Sequence, residues 1–151
     1  MTHYWEDMPV GFRFTAGPVE VTREAVTDFA EDWDPQPFHL DEDAARASHF
    51  GGLVASGWHT LLLGFRMSLA AGIWNDASMG ASGMDEVRFL QPVFPGDRLR
   101  LEAEVIAAER SRSRPDRGRL RLRHTILNQD GVAVAGFVGN HLVRTRPAGG
   151  A

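Results

Sequence analysis

From Trp58 to Ala71 the chain reads Trp-His-Thr-Leu-Leu-Leu-Gly-Phe-Arg-Met-Ser-Leu-Ala-Ala. This segment has helical length and is apolar on nearly every side, the mark of a buried helix and not of an amphipathic surface one. Such a helix must be surrounded, and the segments after it have the pattern of a surround. Between Arg98 and Val105, Leu99, Leu101, Ala103 and Val105 alternate with Arg98, Arg100, Glu102 and Glu104. Between Arg119 and Ile126, Leu120, Leu122 and Ile126 oppose Arg119, Arg121 and Arg123. A period of two marks half-buried strands, and glutamates on one strand with arginines on the next suit antiparallel neighbours on a solvated face. Asn128-Gln129-Asp130-Gly131 forms a tight hairpin turn. Val132 to Val143 is a last strand, apolar enough on both faces to be central or at an interface.

The region before the helix divides as clearly. Phe12 to Thr15 and Val19 to Val21 alternate around Gly17-Pro18, which reads as a strand with a turn or kink. Thr22 caps a helix with Ala25, Val26, Phe29, Ala30 and Trp33 at helical spacing, and Asp41 caps a shorter one. Met84 to Leu90 opens the second half, and the Gly- and Ser-rich stretch Asn75 to Gly83 is expected to be a movable loop beside the pocket. One strand, then helices, then at least four strands gives an α+β fold, an antiparallel sheet wrapped around a long central helix. With 151 residues, 1–151 is expected to be a single domain.

Absent atoms exclude several chemistries. There is no Cys, hence no disulfide, thiolate nucleophile or zinc-thiolate site. All 16 basic residues are Arg, so no Lys is present to form a Schiff base or a Walker A site. A net charge of -4 argues against a general nucleic-acid binder. His3, His49, His59, His124 and His141 show no H-E-x-x-H spacing, and no metal is expected; His59, just inside the long helix, is the one kept in reserve. The N-terminal residues carry acids and no apolar run, and the long helix is too short to span a bilayer, so a cytoplasmic protein with no membrane contact is expected.

The chemistry gathers between Ala30 and Trp58. Asp34-Pro35-Gln36-Pro37-Phe38-His39 places a carboxylate and an imidazole on a proline-stiffened, extended segment. These are the groups wanted for general acid and base work near neutral pH. On their own they are served as well by a turn cap and a satisfied loop histidine. Phe50-Gly51-Gly52 and Ala55-Ser56-Gly57-Trp58 follow. Ser56 is a good N-cap, and the Gly57 amide would be one of the open donors at a helix start, able to polarise a carbonyl. The plain alternative is that Ser-Gly merely begins a buried helix.

Together these motifs resemble the MaoC-like dehydratases, the (R)-specific enoyl-CoA hydratase group of hotdog-fold proteins. The family loop reads Asp-x-Asn-Pro-x-His, and this chain has Asp34, Pro37 and His39 at the same spacing with Gln36 where Asn is usual. The resemblance implies a hotdog fold over nearly the whole chain and a homodimer. It also implies that Asp34 and His39 are catalytic and that the Gly57 amide holds a thioester oxygen. The substrate would then be a small-molecule acyl thioester, with Phe38, Ser56 and Trp58 beside it and no cofactor beyond the coenzyme A of the substrate. Arg112 and Arg114, in the run Ser111 to Gly118, either meet the phosphates of coenzyme A or form a solvated turn. The expected reaction interconverts trans-2-enoyl and (R)-3-hydroxyacyl thioesters. The alternatives are a hotdog acyl-CoA thioesterase, disfavoured because residues 57 to 71 hold no Asp or Glu, and a non-catalytic acyl-thioester binding protein.

Overall fold

Capped helix starts and strict alternation along the strands build the element order of the computed structural model, which describes residues 1–149. A 3-10 turn at Trp5–Asp7 leads into β1 (Arg13–Glu20), followed by α1 (Arg23–Trp33), α2 (Pro37–Leu40), α3 (Glu42–Ala47) and α4 (Gly57–Ala70). Four strands complete the chain: β2 (Ser78–Phe89), β3 (Arg98–Arg110), β4 (Arg117–Leu127) and β5 (Ala133–Arg144). Thr22 accepts the Ala25 amide at 3.1 Å and Asp41 accepts the Ala44 amide at 2.7 Å. Each satisfies a donor that a helix start leaves open. The kink at Gly17-Pro18 stays within β1: Gly17 has φ of 101°, and the register against β3 shifts between Ala16 and Val19. A side chain at Gly17 would run into Met67 of α4 and the backbone of Leu99.

The sheet is antiparallel, in the order β1-β3-β4-β5-β2. Charge pairing sets its outer face, with Glu104 opposite Arg123 and Glu109 opposite Arg119. Leu99, Leu101, Leu120, Leu122 and Ile126 point inward and are fully buried. Helix α4 crosses this inner face and buries Leu61, Gly64 and Met67. At Gly64 the approach is so close that a Cβ would overlap the Ile126 side chain, which is how glycine permits a helix to seat on a sheet. This is the hotdog arrangement. Among the described residues no helix is long and apolar enough to cross a membrane.

Three expectations need correction. Residues from Ser78 onward are not a movable loop but part of β2, an edge strand with Ser78 opposite Val143 and Phe89 opposite Ala135. Its Gly and Ser content imitates a loop, yet an edge strand tolerates glycines as bulges, and the register shifts around Gly80 and Gly83 are of that kind. Helix α4 is not enclosed on every side: Trp58 is 58% and Leu62 52% exposed, because the sheet covers only one flank. Trp33 keeps helical spacing but is 76% exposed, since α1 buries only Val26 and Ala30.

Two histidines lie in the core. His124 is stacked on Phe137 with ring centroids 4.4 Å apart, and His141 stands 5.8 Å from His124 and 4.9 Å from Trp74. Burial pushes each imidazole down to about 4, and for His124 the neighbouring His141 adds to the shift. An unfolded histidine titrates near 6.5. Below that pH the unfolded chain therefore binds protons that the folded chain refuses. The resulting stability is complete above pH 6.5 and is lost as the pH falls toward 4. Urea unfolding followed by tryptophan fluorescence should show a lower midpoint at pH 5 than at pH 7, and His124→Leu should make that difference smaller.

Candidate active site

Two prolines shape the link between α1 and α2. Helix α1 ends at Trp33, and Asp34 leaves it with φ of -152° and ψ of 67°. Pro37 then takes the first position of α2, where its missing N–H is not needed. The segment is thus not extended as far as His39, as its prolines implied; His39 lies in the single helical turn Pro37–Leu40. That turn swings the ring back toward Asp34, with Nε2 3.2 Å from Oδ2.

The other ring nitrogen fixes the orientation. His39 Nδ1 lies 2.6 Å from the carbonyl oxygen of Val54, and a carbonyl can only accept, so Nδ1 carries a hydrogen. Nε2 is therefore the nitrogen left to face Asp34. The residue that accepts this bond leads directly into α4. The imidazole, 5% exposed, is held between the loop and the start of the long helix.

Asp34 is held as firmly. Gln36 Nε2 donates to its Oδ1 at 2.6 Å, and Ser56 Oγ donates to its Oδ2 at 2.7 Å. Burial pushes the Asp34 carboxyl up, but the bonds from Gln36 and Ser56, joined by the adjacent His39, outweigh it and hold the group below the ordinary aspartate value. Gln36, standing where the resembling family usually has Asn, thus directs its amide to the carboxylate.

Ser56 departs from expectation. It precedes α4 but makes no side-chain cap bond, and it is fully buried with its hydroxyl turned to Asp34. It is therefore not a surface that substrate can touch. The first-turn amides of α4, beginning with Gly57, are left uncapped at the positive end of the helix dipole. Gly57 borders a cleft of about 500 Å³ that Asp34, Phe38, His39 and Trp58 also line. A Cβ at Gly57 would stand 2.6 Å from the Phe89 ring, so the glycine lets that ring lie over the helix start.

The structure adds wall residues that no motif announced: Thr60, Phe89, Leu90, Val134 and Ala135. They meet because the end of β2 pairs with the start of β5, a fact of topology absent from any local pattern. Other candidates are not brought to the cleft. His59 stacks on Phe29 with centroids 4.8 Å apart and does not line it. Arg112 and Arg114 lie in the turn joining β3 to β4, beyond the Arg110–Gly118 pair. The cleft adjoins Ala135, whose neighbour on β4 is Ile126. Ile126 is eight residue steps along β4 from Gly118, on the order of 25 Å. In that turn Ser111 accepts the Arg114 amide at 3.1 Å and Asp116 pairs with Arg117, the arrangement of a solvated hairpin end. Among the described residues no group of three or more His, Asp or Glu is placed to hold a metal ion.

Residues 9–126 match the MaoC like domain. The chain belongs to the MaoC-like dehydratase family. The crystal structure of the MaoC-like dehydratase from Rhodospirillum rubrum is similar at 40% sequence identity and a TM-score of 0.88, over 97% of this chain and 99% of that one. The (R)-hydratase from A. caviae involved in PHA biosynthesis is similar at 25% identity and a TM-score of 0.69, over 93% of this chain and 99% of that one. The 3-hydroxyacyl-thioester dehydratase Z of Mycobacterium tuberculosis is 32% identical over 93 residues, 60% of this chain and 62% of that protein, so the match spans less than two thirds of its length. Members of the MaoC-like family are hydratases and dehydratases, enzymes of the lyase class.

The geometry of His39 has a direct test. Nitrogen-15 NMR should show His39 Nδ1 carrying a hydrogen. A pyridine-type Nδ1 at any pH would contradict the Val54 bond.

Proposed function

We propose that this protein adds water reversibly across the double bond of a trans-2-enoyl thioester, giving the (R)-3-hydroxyacyl thioester, with coenzyme A or acyl carrier protein as the thiol. The observation that carries this reading is the meeting of Asp34 Oδ2 and His39 Nε2 at 3.2 Å on the wall of a cleft that Gly57, at the start of α4, also lines. In the proposed reaction the Gly57 N–H donates to the thioester carbonyl oxygen and stabilises the negative charge that grows there as C3 is attacked. A water rests against Asp34 and His39. The two groups lie close enough to pass a proton between them, so as a pair they can take one proton from water and give one up. As the water oxygen bonds to C3, one water proton passes to the pair and one proton from the pair goes to C2. The enzyme returns to its starting state with one water added.

This chemistry calls for no cofactor, since the thioester supplies its own activation. A role in fatty acid metabolism and a cytoplasmic location fit a substrate carried by coenzyme A or acyl carrier protein. The (R) configuration is taken from the A. caviae hydratase to which the chain is similar. The thioesterase alternative lacks support along α4, which carries no Asp or Glu at any position from Gly57 to Ala70.

The reading includes a homodimer. β2 pairs with β5 on one edge and ends the sheet with its other edge open. Trp58, Leu62 and Leu69 of α4 and Met84 and Phe89 of β2, with Leu90 after it, are exposed apolar residues of the kind an interface between copies covers, and Trp58 meets Phe89 edge to face. Light scattering after gel filtration should give twice the 16.7 kDa of one chain.

The decisive assay follows loss of enoyl-thioester absorbance. Wild-type protein should hydrate the substrate, and Asp34→Asn and His39→Ala should each lower kcat/KM by about 10²–10⁴-fold. Wild-type rates in both variants would overturn the reading. Release of free thiol without loss of the double bond would favour the thioesterase.

A further inference from the structure

Ser56 occupies the position before α4 where a serine ordinarily accepts a first-turn amide, yet it forms no such bond. Its hydroxyl hydrogen goes instead to Asp34 Oδ2 at 2.7 Å, from a residue with no solvent exposure. The backbone around it is fixed as well. The Ser56 carbonyl accepts the Thr60 amide at 3.1 Å and the Thr60 hydroxyl at 3.4 Å, which fixes the backbone from which the hydroxyl reaches Asp34. On the opposite side of the carboxylate, Gln36 Nε2 reaches Oδ1 at 2.6 Å from an exposed position.

We infer that Ser56 and Gln36 are positioning residues that grip one oxygen each of the Asp34 carboxylate and so fix the angle at which it meets His39 Nε2. The inference rests on the hydratase reading for its catalytic consequence but not for its physical content. A carboxylate on a single Cα–Cβ–Cγ arm rotates about two bonds; with both oxygens held from different directions, neither rotation is free. Because the Ser56 hydroxyl is turned away from the helix, the same residue leaves the α4 amides open toward the cleft. One side chain thereby prepares both the proton-handling pair and the carbonyl-binding end. Misplacing a reacting group by about 1 Å can cost about 10²-fold in rate, which sets the expected scale. The titratable group that faces Asp34 is His39, and both Gln36 and Ser56 favour the ionised carboxylate.

The test combines the titration of Asp34, read from its carboxyl carbon-13 signal in the substrate-free protein, with the pH profile of kcat/KM. The variants are Ser56→Ala, Ser56→Thr and Gln36→Ala. Ser56→Ala should move the Asp34 titration upward, move the acid limb of the profile upward with it, and lower kcat by about 10²-fold with KM little changed. Ser56→Thr, which keeps the hydroxyl, should restore both readouts. Gln36→Ala alters an exposed side chain and keeps the test available if Ser56→Ala fails to fold; it too should move the titration upward. An Asp34 titration unchanged in Gln36→Ala and in any folded Ser56→Ala would overturn the inference even if the wild type is an active hydratase. Upward shifts in a protein that does not hydrate enoyl thioesters would uphold the positioning role and reject the proposed reaction instead.

Discussion

The bond from His39 Nδ1 to the Val54 carbonyl, 2.6 Å long and closed off from solvent, is the contact on which the site depends. It joins the proline-bearing turn after α1 to the strand-like approach to α4. Backbone bonds on both sides reinforce it: Val54 donates its own amide to Phe38 at 3.2 Å, and Ala55 donates to Val93 at 2.8 Å. The approach to the helix is thus tied to the turn on one flank and to the β2–β3 connection on the other. A buried imidazole with an unpaired N–H is costly, so the bond selects the tautomer as well as the position. The direction of Nε2 toward Asp34 follows from that choice.

The rest of the fold makes this junction possible. Glycine at Gly64 lets α4 settle onto Ile126, and glycine at Gly57 lets Phe89 close over the helix start. Between these two points the helix has one flank against the sheet and the other open. The cleft forms at its first turn, where the end of β2 and the beginning of β5 provide an apolar wall opposite the polar pair. Charge and grease are thereby divided across a short distance. That division suits a ligand with a polar, reactive carbonyl attached to a hydrocarbon chain.

Much of this was legible in the sequence because it depends on local rules. The alternation on β3 and β4, the caps at Thr22 and Asp41 and the hairpin at Asn128 to Gly131 all act within a few residues, and each is seen where its pattern placed it. The local pattern leaves Asp34, His39 and Gly57 open, and it is the family resemblance of the proline-bearing loop and the Ser-Gly helix start that points to them. What could not be read is what the tertiary arrangement decides. Composition marks residues 75 to 83 as a loop, but a vacant place beside β5 recruits most of them into a strand. Periodicity gives α4 no polar face, and it cannot say which of its apolar flanks the sheet leaves uncovered. Nor does a serine before a helix reveal that a carboxylate 22 residues upstream will claim its hydroxyl. The arginines at Arg112 and Arg114 are the converse case: their chemistry suits phosphate, and their place in the sheet takes them to its far end.

The central claim is that a thioester carbonyl settles on the Gly57 amide while its β-carbon faces Asp34 and His39. Proton–nitrogen NMR during titration with an unreactive substrate analogue, in which the thioester carbonyl is retained and the double bond is saturated, tests it most directly. The Gly57 amide proton should move downfield as it takes up a new hydrogen bond, with the His39 ring signals shifting at the same ligand concentration. Saturable binding that leaves the Gly57 amide unmoved, and perturbs the Arg112–Arg114 turn instead, would contradict it.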